Sequence, residues 1–157
     1  LDVKNFEISK NSALNERHYG GLTSLNKDEV IRKYGSKQVK IWRRSFNFPP
    51  PPMDKKHPYK NKINSNLLGE SLKDTFDRVI PFYKKKIEPL IFLKKNILVV
   101  FHGNSCRALL MKIFKISKKN IIKIEVPTGN PLLIQFDNNF KISKYKYLDK
   151  KRKKNII

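Results

Sequence analysis

A chain of 157 residues with 35 Lys and Arg against 13 Asp and Glu carries a formal net charge of +22, and its 39% apolar content suffices for one packed domain that buries roughly two thirds of its unfolded surface. Its apolar runs, of which Ile97 to Phe101 is typical, stop far short of the roughly 18 residues of a bilayer-spanning helix. The single cysteine, Cys106, excludes an internal disulfide, so nothing points to an oxidising compartment and the cytoplasm is the expected location.

The charge invites a nucleic-acid reading, because neutralising phosphates with lysine dominates such binding. Composition argues for a simpler origin: 28 Lys against 7 Arg, with 15 Asn, 17 Ile and 2 Ala, is the bias an AT-rich coding sequence imposes on any protein. The lysines are spread along the chain rather than gathered on one element. Weak, nonspecific nucleic-acid binding follows from the charge in either case.

In chain order, Asn26 caps a first helix with Glu29 at the third helical position, and Gly35 stops it. A second helix is expected from Ser36 to Phe46, since Val39, Trp42 and Phe46 fall on one face. Pro49 to Pro52 then impose an extended segment. The polar, Lys- and Asn-rich stretch from Met53 to Leu68 reads as a long surface loop. Ser71 and Asp74 form a second capping pair, ahead of an apolar stripe through Leu72, Phe76, Val79, Ile80, Tyr83, Ile87 and Leu90. Pro81 is expected to kink that helix or end its first half.

Ile97 to Phe101 is a continuous, β-branched apolar run, the pattern of a parallel strand buried on both faces. A helix is expected from Ser105 to Phe114, and a short one near Ser117 to Ile122. Leu132 to Phe136 and Phe140 to Tyr147 read as strands joined by a turn at Asp137-Asn138-Asn139. Residues 150–157 are expected to be a frayed basic tail beyond a domain spanning 1–149.

Two clusters carry chemistry. Glu16-Arg17-His18-Tyr19 puts a carboxylate, a guanidinium, an imidazole and a phenol ahead of a Gly-Gly turn. His102-Gly103-Asn104-Ser105 follows the apolar strand and opens a helix, the place where open α/β sheets take ligands and where backbone N–H groups hold anions. A serine-hydrolase elbow needs a second glycine where Arg107 stands. A cysteine phosphatase needs an Arg six residues after its Cys, and position 112 is Lys. A phosphate-contacting His102 is favoured by position. His18, His57 and His102 have no metal-ligand spacing, and no metal is expected.

Taken in order, Leu14-Asn15-Glu16-Arg17-His18-Tyr19-Gly20-Gly21-Leu22, Leu25-Asn26-Lys27, Trp42-Arg43-Arg44, Arg78-Val79-Ile80-Pro81, His102-Gly103-Asn104-Ser105 with Arg107-Ala108-Leu109, and Pro127-Thr128-Gly129 with Pro131-Leu132 resemble the cofactor-dependent phosphoglycerate mutases of the histidine phosphatase superfamily. The resemblance implies an α/β fold with a mostly parallel sheet flanked by helices. It implies exchange between 3-phosphoglycerate and 2-phosphoglycerate through a phosphohistidine, with 2,3-bisphosphoglycerate as cofactor and no metal. Glu16 corresponds to the proton donor and acceptor for the substrate hydroxyl. Arg17, His18, Tyr19, Lys27, Arg43 and Arg44 fall in the blocks that hold phosphate and carboxylate groups, for which the planar arginine fork is suited. His102, with Gly103 and Asn104, corresponds to the pocket that stabilises the transferring phosphoryl group.

The family's nucleophile is the His of an Arg-His-Gly motif on an N-terminal strand, and no such motif occurs here. The chain is therefore expected to be an N-terminally truncated piece of a mutase, without turnover by itself. A decayed homologue that keeps phosphate binding and a basic nucleic-acid-binding protein are the alternatives. A homodimer is what the family suggests.

Overall fold

A computed structural model describes residues 6–59 and 69–156 of the protein. Five α-helices appear among these residues: α1 (Lys27–Tyr34), α2 (Ser36–Arg44), α3 (Leu72–Phe82), α4 (Glu88–Phe92) and α5 (Gly103–Ile113). Two strands, β1 (Leu132–Phe136) and β2 (Ile142–Tyr147), close an antiparallel hairpin with Leu132 opposite Tyr147. No helix among the described residues is long and apolar enough to cross a membrane.

The helix ends follow local chemistry. The Asn26 side chain accepts the Asp28 N–H to start α1, and Gly35 stops it at φ 80°. Glu29 does not complete a capping box there, whereas Ser71 and Asp74 do so reciprocally at the start of α3. Pro81 lies inside α3, and the chain runs on through a π-helical turn, Tyr83–Ile87, into α4. Proline has no N–H to give and its ring crowds the carbonyl four residues back, so a local change of winding is the expected response. Helix α2 ends at Arg44, two residues before Phe46, which enters the core.

α3 packs against α5, and their Leu72, Val79 and Ala108 are fully buried in the main core with Ile121. Burial of each large aliphatic side chain contributes roughly 2 kcal/mol. A smaller cluster of Leu22, Val30 and Val39 holds α1 against α2. Between these regions the proline segment lies across the Gly20-Gly21 turn: Gly21 N–H donates to the Pro51 carbonyl at 2.8 Å.

Several expectations differ from what the described residues show. The mostly parallel sheet is not found among the described residues, where the sheet is the two-stranded antiparallel hairpin. Ile97 to Phe101 has the period of a strand, but not burial on both faces: Ile97, Val99 and Phe101 pack on the core while Leu98 and Val100 are 84% and 81% exposed. Its backbone pairs with no other segment among the described residues, so it has no ladder to make it a strand. The basic tail is not frayed either. Arg152 donates to the Thr128 and Gly129 carbonyls, and Ile156 is buried in the main core. The helix expected near Ser117 shortens to a turn and a 3-10 segment, Ile121–Lys123. Of the long polar loop, residues 53–59 form turns anchored by Asp54, which accepts from the Lys56 N–H; residues 60–68 lie outside the described residues.

Candidate functional site

Residues 15–19, between the 3-10 segments Ser12–Leu14 and Gly20–Leu22, are irregular, and such backbone needs partners from elsewhere. Arg78 of α3 supplies several, donating from Nη1 to the Ala13 carbonyl at 2.6 Å and from Nη2 to those of Asn15 and Glu16 at 3.0 and 3.2 Å. Glu70 takes the His18 N–H on its carboxylate at 2.8 Å and gives its own N–H to the His18 carbonyl at 2.7 Å. Fixed in this way, Glu16 faces the start of α5. Its Oε1 accepts from Asn104 Nδ2 at 2.9 Å, and its Oε2 from the Asn104 N–H at 3.4 Å. Asn104 Nδ2 also donates to the Tyr19 hydroxyl at 2.9 Å.

The two sequence clusters, 82 residues apart, thus meet through Glu16, Tyr19 and Asn104. Two adjoining cavities share Glu16, Tyr19 and Arg43 in their walls. The larger, about 610 Å³, extends past His18, Glu70 and Arg78. The smaller, about 290 Å³, is walled by Arg44, Gly103, Asn104 and Arg107.

The arginines play different parts. Arg17 is 2% exposed, with both Nη atoms turned inward to the Trp42 and Glu70 carbonyls. Arg107 is likewise buried: it donates to Asn104 Oδ1 at 3.0 Å and to the Arg44 and Ile121 carbonyls at 3.2 and 2.6 Å. Burial, and then the neighbouring charges of Arg44 and Arg17, push its pKa down to about 10, so it remains cationic at neutral pH. Arg44 pairs with Glu125 at 3.0 Å. The Arg43 guanidinium makes no hydrogen bond among the described residues and lies 5.4 Å from the Tyr19 ring centroid, leaving its donors available to a ligand. The Nε atoms of Arg17 and Arg107 are buried without a partner.

His18 is set apart from the others. Its Nδ1 accepts the Gly20 N–H at 3.1 Å, which requires that nitrogen unprotonated, and its Nε2 is buried without a partner. Burial lowers its pKa against a weaker opposing pull from Glu70. For a base with a depressed folded-state pKa, stability is fully present above the unfolded value and is lost as pH falls through the folded one. Acidification from pH 7 towards 5 is therefore expected to lower the melting temperature. The drop should be smaller in His18→Gln, and equal drops in the two proteins would remove His18 as its source.

Lys27 and His102 stand outside both cavities. Lys27 is exposed at the first position of α1, two residues beyond Leu25 in the wall of the larger cavity. His102 is the N-cap of α5, and its exposed imidazole makes no hydrogen bond among the described residues. Glu70 carried no sequence signal. Arg107 did carry one, since it lies three residues after Asn104 and so on the same helical face.

A carboxylate held by a helix-start amide thus lies in a cavity wall bordered by arginines. Residues 1–146 match the family model described as histidine phosphatase superfamily (branch 1), and the chain belongs to that superfamily. Among its relatives are proteins named 2,3-bisphosphoglycerate-dependent phosphoglycerate mutase. That of Treponema denticola is 44% identical over 99% of this chain and 66% of its own length. Those of Buchnera aphidicola subsp. Acyrthosiphon pisum and Hyphomonas neptunium are 47% and 44% identical, over 90% and 92% of this chain and 65% and 64% of their own lengths. The chain thus spans just under two thirds of these curated relatives.

Proposed function

We propose that this chain forms the phosphoglycerate-holding side of a 2,3-bisphosphoglycerate-dependent phosphoglycerate mutase, interconverting 2-phosphoglycerate and 3-phosphoglycerate in glycolysis and gluconeogenesis. The observation that carries the reading is the join between Glu16 and Asn104 beside the free guanidinium of Arg43. Arg43, with Arg44 at the same helix end, would fork onto the phosphate and carboxylate of the ligand. Glu16 would move the proton of the substrate hydroxyl, being within reach of the same cavity. Gly103 and Asn104 open the 11-residue helix α5, whose first N–H groups suit a phosphoryl oxygen. His102 beside them is assigned to the transferring phosphoryl group, and Lys27 and Tyr19 to the ligand's periphery.

The residues present fit 2,3-bisphosphoglycerate. Arginine charge exceeds the carboxylate charge around the smaller cavity, the buried Arg107 Nε lacks an acceptor, and a side chain added at Gly103 would meet nothing within 4 Å. When bound, this cofactor supplies the phosphoryl group that primes the exchange. The chain's own residues would hold it and manage the hydroxyl proton. A mostly parallel sheet flanked by helices, a homodimer and a cytoplasmic location belong to the same proposal.

Calorimetric titration of the chain tests it without turnover. 3-Phosphoglycerate and 2,3-bisphosphoglycerate are expected to bind and glycerate to bind far more weakly. Gly103→Ala is expected to weaken phosphoglycerate binding at least about tenfold, the equivalent of 1.4 kcal/mol, with little change in melting temperature, because its Cβ enters open space in the cavity wall. No binding by the unaltered chain would overturn the proposal.

A further inference from the structure

We propose that Glu70 and Arg78 are positioning residues that hold Glu16 in its ligand-ready geometry, acting as one clamp on the segment 13–18.

The clamp has two parts. The Glu70 carboxylate and the Arg78 guanidinium form a fork-to-fork pair, Nε to Oε1 at 2.8 Å and Nη2 to Oε2 at 3.0 Å. Their side chains are 14% and 25% exposed, so solvent screens the pair only in part. Each partner then uses its remaining capacity on the backbone around Glu16. Arg78 holds the carbonyls of residues 13, 15 and 16. Glu70 grips His18 from both sides and offers its own carbonyl to Arg17 Nη1 at 3.4 Å.

Regular secondary structure would satisfy these main-chain groups internally, but here they depend on two side chains from outside the segment. A lysine at position 78 would keep the charge without the fork that reaches three carbonyls and a carboxylate together. The outcome of the clamp is local: the Glu16 and Arg17 side chains leave the segment towards Asn104 and Trp42 from a backbone held on both flanks. Since effective binding requires side chains placed within a fraction of an ångström, loosening the segment is expected to spread Glu16 over many positions.

The ligand arm of the test rests on the function proposed above, and the other arm does not. Arg78→Lys and Glu70→Gln are compared with Lys73→Ala, whose exposed partner Asp77 lies one turn along on α3. In amide hydrogen exchange, without ligand, the Arg17 and His18 N–H groups are expected to exchange faster in the two clamp variants while α5 keeps its protection. Uniform acceleration across the chain, or none at residues 17 and 18, would overturn the positioning role. In calorimetry with 3-phosphoglycerate, well below each variant's melting temperature, affinity is expected to fall roughly tenfold in both clamp variants and to stay unchanged in Lys73→Ala. Unchanged affinity in the clamp variants would also overturn the inference. If the unaltered chain does not bind 3-phosphoglycerate, the proposed function fails, and exchange alone decides whether the clamp exists.

Discussion

Replacing Arg107 with alanine is expected to lower the unfolding free energy by about 3 kcal/mol and to open the site at the same time. Two effects oppose each other. Removing the guanidinium relieves its burial and its repulsion with Arg44 and Arg17, the causes of its lowered pKa. Against this, Asn104 Oδ1 and the carbonyls of Arg44 and Ile121 lose their donor together, at about 1 to 3 kcal/mol for each buried group left unmade. A cavity opens as well. Three lost acceptors outweigh one relieved charge. Arg107→Met, which fills more of the space, should lose less than the alanine variant, while Arg107→Lys should lose nearly as much because one ammonium cannot span the three acceptors. Urea denaturation reads all three. Arg107→Ala as stable as the unaltered protein would show that the charge, not the hydrogen bonds, decides.

The same arithmetic explains which parts of the molecule are legible in the sequence. Helix starts are local events, so Asn26 and the Ser71–Asp74 pair announce α1 and α3 correctly. The hairpin is also local, with Asp137 accepting the Phe140 N–H on its carbonyl at the turn. Ile97 to Phe101 departs from its sequence pattern because an apolar run states what a segment would bury, not whether another segment covers its second face. The tail departs for the opposite reason: its lysines suggest solvent, whereas Ile156 and Arg152 dock it.

In the site, residue identity was informative and residue role was not. Of the seven arginines in a lysine-rich chain, Arg17, Arg44, Arg78, Arg107 and Arg152 all donate to main-chain carbonyls. Charge alone does not account for that choice, because lysine carries the same charge. The fork does, since it can serve several carbonyls from one side chain. Arginine in this composition therefore marks structural wedges between distant segments as often as ligand contacts. Arg43, with no hydrogen bond among the described residues and a wall position in both cavities, is the one whose surroundings favour a ligand.

Gly20→Ala is expected to be about as damaging, for a reason in the backbone. Gly20 has φ +54°, a conformation costing a residue with a Cβ about 1 to 2 kcal/mol. The added Cβ would also lie well inside contact distance of the Pro51 carbonyl oxygen and 3.0 Å from the Gly69 Cα. Neither neighbour is a side-chain tip that can swing away. The Pro51 carbonyl is tied to Gly21 N–H at 2.8 Å, and residue 70, next to Gly69, is tied to His18 at 2.7 Å. Relief would therefore require moving the proline segment or the Glu70 strap, and overpacking of this kind costs about 1 to 3 kcal/mol more. The sum is about 3 kcal/mol. Gly35→Ala is the comparison for backbone strain without a clash: at φ 80° and ψ 147° a residue with a Cβ is disfavoured by about 1 to 3 kcal/mol, but nothing lies within 4 Å of that Cβ. Urea denaturation measures both losses. Because His18 and Tyr19 directly precede Gly20, Gly20→Ala should also reduce phosphoglycerate affinity below its unfolding midpoint, and Gly35→Ala should not. A loss in Gly20→Ala no greater than its backbone term of about 1 to 2 kcal/mol would mean that the proline segment yields freely and does not hold the turn that carries Glu16.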